Sequence, residues 1–214
     1  MNGMTRWMSG WEVAGLAVAA SAGWARGQMT YLTQQRQVSA TTQSGTNSDA
    51  FGGLGPWSAG VGSSYPFGSA FASASQTSNL RSDAVEFNVA GDAANHNAFT
   101  ANSVSSIVVT FSLDVPTQYD MIMVNSNVGS TGILRLTLNG ADVFYFYPTN
   151  RPPVSTSGVL QAGTYQLTVS ASGFSTQGVD GGGSVNGTLY IPTPTATAAL
   201  FLGLSLASAR RRRS

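Results

Sequence analysis

Any chemistry in this chain has to come from acids and aromatics, because the other reactive side chains are nearly missing. Cysteine is absent and His96 is the single histidine. One histidine with no thiol does not make a zinc site. A Ser-His-Asp triad would need His96, yet no Gly-x-Ser-x-Gly turn presents a serine beside it. Between Asn95 and Asn97, His96 reads as a solvated loop residue. A glycoside hydrolase works with two carboxylates across a cleft, and Asp83, Glu86, Asp92, Asp114, Asp120, Asp142 and Asp180 are the acids that would supply them. Their spacing singles out no pair. Asp180-Gly181-Gly182-Gly183 has the oxygen-rich backbone of a calcium loop, but no second acid stands at ligand spacing and the stretch reads as a flexible turn. No metal or cofactor is implied, and the expectation is a protein that is not an enzyme.

The aromatics offer a different chemistry. The apolar faces of sugar rings stack on Trp and Tyr as other apolar groups do, which makes Trp57, Tyr65, Tyr145 and Tyr147 candidate carbohydrate contacts. Two of them fall in Phe51 to Phe71, a stretch dense in glycine and aromatics that reads first as irregular strand and turn covering one end of a core. Asn186-Gly187-Thr188 matches a glycosylation acceptor, an accidental match in what reads as a strand.

The elements that must position these residues are strands. Val85, Phe87 and Val89 alternate with Glu86 and Asn88, and Ile107, Val109, Phe111, Leu113 and Val115 alternate with Thr110, Ser112 and Asp114 until Pro116. Between them, Gly91 to Asn102 reads as a polar connection. Asp120 to Val124 is apolar at both parities, which predicts a strand covered on both faces. Leu134, Leu136 and Leu138 lead into Asn139-Gly140, a two-residue hairpin turn, and Val143 to Tyr147 returns. Tyr165, Leu167 and Val169 form another alternating strand, in which Tyr165 suits a corner tyrosine bonded to nearby backbone or plain core packing. A Gly/Ser loop, Gly178 to Ser184, precedes the last strand, Val185 to Ile191. Tyr31, Thr33 and Gln35 suggest an edge strand near the front. Short strands, polar turns and no helical period before the C-terminal stretch predict an all-β fold over residues 28–190, an antiparallel β-sandwich of jelly-roll or Ig-like kind.

Composition narrows the setting. The 214 residues carry a formal net charge of +1, and all ten basic residues are arginines. Six of these lie in the first 27 or last 24 residues; between Gln28 and Tyr190, Arg36, Arg81, Arg135 and Arg151 face eight acids. That mildly acidic middle excludes nucleic acid as a partner, since such binding rests on neutralising phosphates. Charged residues are 9 % of the chain, so Ser, Thr, Asn and Gly must fill the surface. Without disulfides, stability rests on one continuous core.

Both ends read as membrane-directed. Arg6, the apolar run Val13 to Ala22 and small residues at Ala20-Ser21-Ala22 or Ala25-Arg26-Gly27 make residues 1–27 a signal peptide, with a signal helix. Residues 191–214 hold Pro192-Thr193-Pro194, then an uncharged run from Ala198 to Ala209, then Arg210, Arg211, Arg212 and Arg213. A bilayer core takes roughly 20 apolar residues, so this transmembrane-type helix would borrow Thr195 to Thr197 and the arginine stems. The arginines would stay on the cytoplasmic side.

This three-part order resembles the PEP-CTERM sorting signal of Gram-negative bacteria, with Thr193 where the family's motif has glutamate. A Gly-Thr-Tyr strand at Gly163 to Tyr165, a Ser/Gly loop and a last strand entering the tail also resemble the C-terminal half of many PEP-CTERM cargo domains. The resemblance implies an exosortase that recognises and removes the tail, together with export machinery, the inner membrane as a transient anchor, and a final place at the cell surface or outside the cell. The expected function is that of an exported, non-catalytic surface or extracellular-matrix protein, with extracellular polysaccharide as a further partner. The alternatives are a carbohydrate-binding module using exposed aromatics and a secreted polysaccharide-active enzyme.

Overall fold

The computed structural model describes residues 28–66, 70–95, 99–128, 131–146, 153–176 and 179–192, which form twelve strands and no α-helix. The two terminal helices expected from the sequence, and with them Thr193, Pro194 and Arg210 to Arg213, lie outside the described residues. So do His96 and Tyr147.

In chain order the strands are β1 Thr30–Thr42, β2 Gly45–Phe51, β3 Gly55–Ser64, β4 Ala70–Arg81, β5 Ala84–Asn95, β6 Thr100–Leu113, β7 Thr117–Val128, β8 Thr131–Leu138, β9 Ala141–Phe146, β10 Val154–Leu160, β11 Gly163–Thr176 and β12 Gly181–Tyr190. They make two six-stranded sheets, β2-β1-β6-β11-β8-β9 and β10-β7-β12-β5-β4-β3. Every neighbouring pair is antiparallel. The last eight strands pair as one long hairpin folded over on itself: β8 with β9, β7 with β10, β6 with β11 and β5 with β12. The β1–β2 hairpin then extends one sheet beyond β6, and the β3–β4 hairpin extends the other beyond β5.

Period-two alternation drives this arrangement. Val85, Phe87 and Val89 of β5, Ile107, Val109, Phe111 and Leu113 of β6, and Tyr165, Leu167 and Val169 of β11 are buried together between the sheets. Each buried side chain of this size is worth about 1.5–3 kcal/mol over leaving it in water. Asn139 and Gly140 turn the β8–β9 hairpin at φ 51° and 85°, the left-handed values that a two-residue turn requires. Tyr165 fills both roles expected for it. Its hydroxyl donates to the Gln161 carbonyl at 2.8 Å, and its ring stacks on Phe111 with centroids 5.6 Å apart.

The opposite end of the interior is built from small residues: Ala40, Ala70, Ala72, Ala93 and Ala101 form a second buried cluster. The two sheets approach closely there. A Cβ on Gly173 of β11 would stand 2.6 Å from the Gly181 carbonyl oxygen and 2.8 Å from the Ala93 nitrogen on the facing sheet.

Five expectations are corrected. The Gly178 to Ser184 loop is shorter than read, because β12 already begins at Gly181, where glycines pair with β5 and leave no side-chain pattern to register. β1 is an inner strand between β2 and β6, because its inward residues Arg36, Val38, Ala40 and Thr42 include few large apolar groups for a pattern to register. Phe51 to Phe71 contains a regular ten-residue strand, β3, at a sheet edge. The Gly91 to Asn102 connection is shorter than its polarity suggests, since β5 runs to Asn95 and β6 starts at Thr100; alanine and glycine suffice inward where the sheets are close. β7 is covered on one face only: Met121 and Met123 are buried, while Ile122 and Val124 are 57 % and 46 % exposed.

Candidate functional site

Most of the acids are paired with arginine or stand apart. Arg81, at the end of β4, reaches Glu86 at 2.8 Å and Asp83 at 3.4 Å, and Arg135 holds Asp142 at 2.5 Å across β8 and β9. Asp49, Asp114 and Asp120 are exposed on separate elements. The one juxtaposition that spacing concealed is Asp92 with Asp180. The β5–β12 register sets Asp92 against Gly182, and both acids line an open depression of about 350 Å3 with Gly181 to Ser184. Asp180 is already engaged, accepting the Asn95 amide N–H at 3.0 Å. The described residues contain no group of three or more His, Asp or Glu side chains placed to hold a metal ion, whereas calcium takes six to eight oxygens.

The aromatic candidates separate. Trp57 on β3 and Tyr65 just past its end are half-buried, at one edge of the sandwich. Tyr65 packs on Phe99 with centroids 4.7 Å apart, against the alanine cluster. Trp57 stacks on Phe51 at 6.2 Å and 13° between planes. Tyr145 is 49 % exposed, but on β9, the far edge of the other sheet. These three share no face.

What Trp57 does instead is enclose a cation. Arg36 points inward from β1 and has no exposed surface. Its guanidinium carbon lies 4.7 Å from the Phe51 ring centroid and 5.8 Å from that of Trp57. The nitrogens donate to the Gly53 carbonyl, to the Gly55 carbonyl at 2.8 Å and to Ser78 Oγ at 3.2 Å, leaving Nε without a partner. No carboxylate lies within ion-pair distance of it among the described residues. Burial therefore lowers the arginine pKa from its ordinary value. Backbone carbonyls and ring faces compensate the desolvated charge. This is a structural clasp on the β2–β3 connection, and nothing in the polar pattern of β1 announced it.

Two surface features are left. The outer face of β4, β5 and β12 carries aligned polar side chains, Thr77 and Asn79, Asn88, Asn186 and Thr188, around an open depression of about 600 Å3 that reaches Pro56 and Trp57 on β3. Only the strand register, with Asn186 opposite Asn88 and Asn88 opposite Thr77, brings them together. At the end of the sandwich bearing the large-residue core, the first and last described segments meet. The Met29 N–H donates to the Ser82 carbonyl at 3.1 Å and the Ile191 N–H to the Asp83 carbonyl at 2.7 Å. Met29 and Ile191 are both buried, and Pro192 follows directly. No protein-family model matches the chain, and no curated protein matches it.

Proposed function

We propose that this is an exported, non-catalytic surface or extracellular-matrix protein whose β-sandwich is delivered by a PEP-CTERM-like tail read by an exosortase. The observation that carries the reading is the placement of the two ends. Both segments leave from the β4–β5 turn, and the last buried residue, Ile191, stands immediately before Pro192-Thr193-Pro194. Cutting at either side leaves every described strand and every buried residue of the described core in place. The domain is of jelly-roll kind in this reading, which the nested pairing of β5 to β12 supports over an Ig-like arrangement. Asp83, Glu86 and Asp142 are engaged by arginine, and Asp180 accepts the Asn95 amide, which supports a non-catalytic role.

Mass spectrometry of the protein from a producing cell, separated into membrane and extracellular fractions, tests this. Loss of the first ~27 residues together with everything past Pro194 is the expected result. An intact chain confined to the cytoplasm would sink the proposal.

Extracellular polysaccharide is a second reading, favoured by the amide and hydroxyl side chains that surround Glu86 on the β4-β5-β12 face rather than by the scattered aromatics. Sedimentation with the producer's own matrix polysaccharide checks it: replacing Asn88 and Asn186 by alanine should abolish co-sedimentation, and unchanged co-sedimentation would remove that face from consideration.

A further inference from the structure

A β-sandwich has four sheet edges, and unprotected edges recruit other strands. Three of the four are defended here. β2 carries Asp49 and β3 carries Pro56, and side chains tie the two together: Asn47 to the Gly62 carbonyl at 2.6 Å, Ser63 to that of Gly45 at 3.0 Å, and Ser44 to that of Ser64 at 2.7 Å. β9 is six residues long, its pairing with β8 is broken by a bulge, and it bears Asp142 paired with Arg135. Short length, bulges, proline and charge are the devices that keep edges from pairing.

β10 has no bulge, no proline and no charge. Its seven residues, Val154-Ser155-Thr156-Ser157-Gly158-Val159-Leu160, pair to β7 from Leu160↔Thr117 to Val154↔Met123. No described strand pairs with its other side. Beside it, the outer face carries exposed apolar groups around Asp120 and Gln118. Ile122 and Val124 of β7 are exposed, as are Val159 of β10 (40 %) and Tyr190 of β12 (39 %). An open depression of about 470 Å3 between Ile122, Ser155 and Tyr190 dents this patch.

We propose that β10 is a self-association edge, pairing antiparallel with β10 of a second copy of this chain about a two-fold axis at Ser157. A copy is the occupant because the strand is self-complementary in that register. Val154 meets Leu160, Ser155 meets Val159, Thr156 meets Gly158, and Ser157 meets itself, so small groups face small groups at the centre and apolar ones close the ends. The register keeps outward residues together. Val159 of the second copy continues the row Thr188–Ile122–Ser155 and enlarges the apolar patch across the joint. Charge does not oppose it: the nearest acid, Asp120, is opposite Ser157, so the two copies of Asp120 stand three strand spacings apart, about 14 Å, beyond the screening length at physiological salt.

The absence of native cysteine gives a clean test. Opposed residues of an antiparallel pair lie within disulfide reach. In the full chain, Ser157→Cys should give about tenfold more disulfide-linked dimer under mild oxidation than Ser48→Cys on the defended β2 edge. Adding Val159→Lys to Ser157→Cys should remove most of that dimer. Ser157 is exposed, and protease resistance equal to the parent's reports an intact fold in each variant. A Ser157→Cys yield no greater than that of Ser48→Cys overturns the proposal. So does cross-linking indifferent to Val159→Lys, or equal cross-linking from Ser155→Cys, which the two-fold axis sets opposite Val159.

Discussion

Where β2 and β3 run side by side, the two sheets are joined by polar groups: Arg36 clasped by Gly53, Gly55 and Ser78 under the Phe51 and Trp57 rings, and the hydroxyls of Thr42 and Ser63 at 2.9 Å. Where β9 and β10 end the sheets, apolar packing alone serves. Tyr119 stacks on Phe144 at 6.2 Å, Phe144 meets Phe146 at 6.1 Å, and among the described residues no side-chain hydrogen bond links β9 to β10. A polar seam is directional and saturates its edge groups. An apolar seam leaves the edge backbone unused, and that difference decides which side of the molecule is available to a partner.

The comparison breaks most visibly at Arg36. Arg36→Ala should cost about 3 kcal/mol, the sum of lost packing and the Gly53 and Gly55 carbonyls left unsatisfied. Arg36→Met, which restores volume but no donor, should recover less than half of that. Urea denaturation of the full chain measures both. Full recovery by methionine would show the clasp to be packing only. Phe144→Ala probes the other side, and should cost about 2 kcal/mol for a partly buried ring.

Much of this fold could be read from residue order, but unevenly. β5, β6, β8 and β11 announce themselves through Val, Leu, Ile and Phe at alternate positions. The closed seam does not, because its inward residues Arg36, Val38, Ala40 and Thr42 hold only one large apolar side chain, too few to show an alternation. Nor could Ile122 and Val124 be recognised as exposed, since apolarity at both parities is equally the mark of a strand buried on both faces. The Asp92–Asp180 and Asn88–Asn186 juxtapositions depend on register between strands nearly a hundred residues apart, which spacing along the chain does not encode.

Tyr31 sharpens the contrast through pH. Its hydroxyl donates to the Arg81 carbonyl at 2.7 Å, tying β1 to the β4–β5 turn of the facing sheet. Burial, and next the Asp83 carboxylate, raise its pKa well above the ordinary value. Tyr165 is raised in the same direction, by burial. A raised folded-state pKa gives stability that is whole below the unfolded value of about 10 and is lost as pH climbs through the folded one. Stability should therefore fall above about pH 10. Tyr31→Phe should cost about 1 kcal/mol at pH 7 for the lost hydrogen bond and flatten the alkaline fall. An unchanged alkaline slope in that variant would place the titration elsewhere.

The smallest intrinsic effect is expected at Ile122, on the open side. It is more than half exposed, so Ile122→Thr should change the stability of the isolated chain by less than about 0.5 kcal/mol. If the β10 edge pairs copies, however, the parent's melting temperature must rise with protein concentration, because association stabilises the folded state by mass action. Ile122→Thr should weaken that rise without lowering the dilute-limit value. Arg36→Ala should do the reverse, lowering melting equally at every concentration. The two variants thus assign one seam to folding and the other to assembly. A parent melting temperature independent of concentration up to millimolar protein would leave the open edge without a role in assembly.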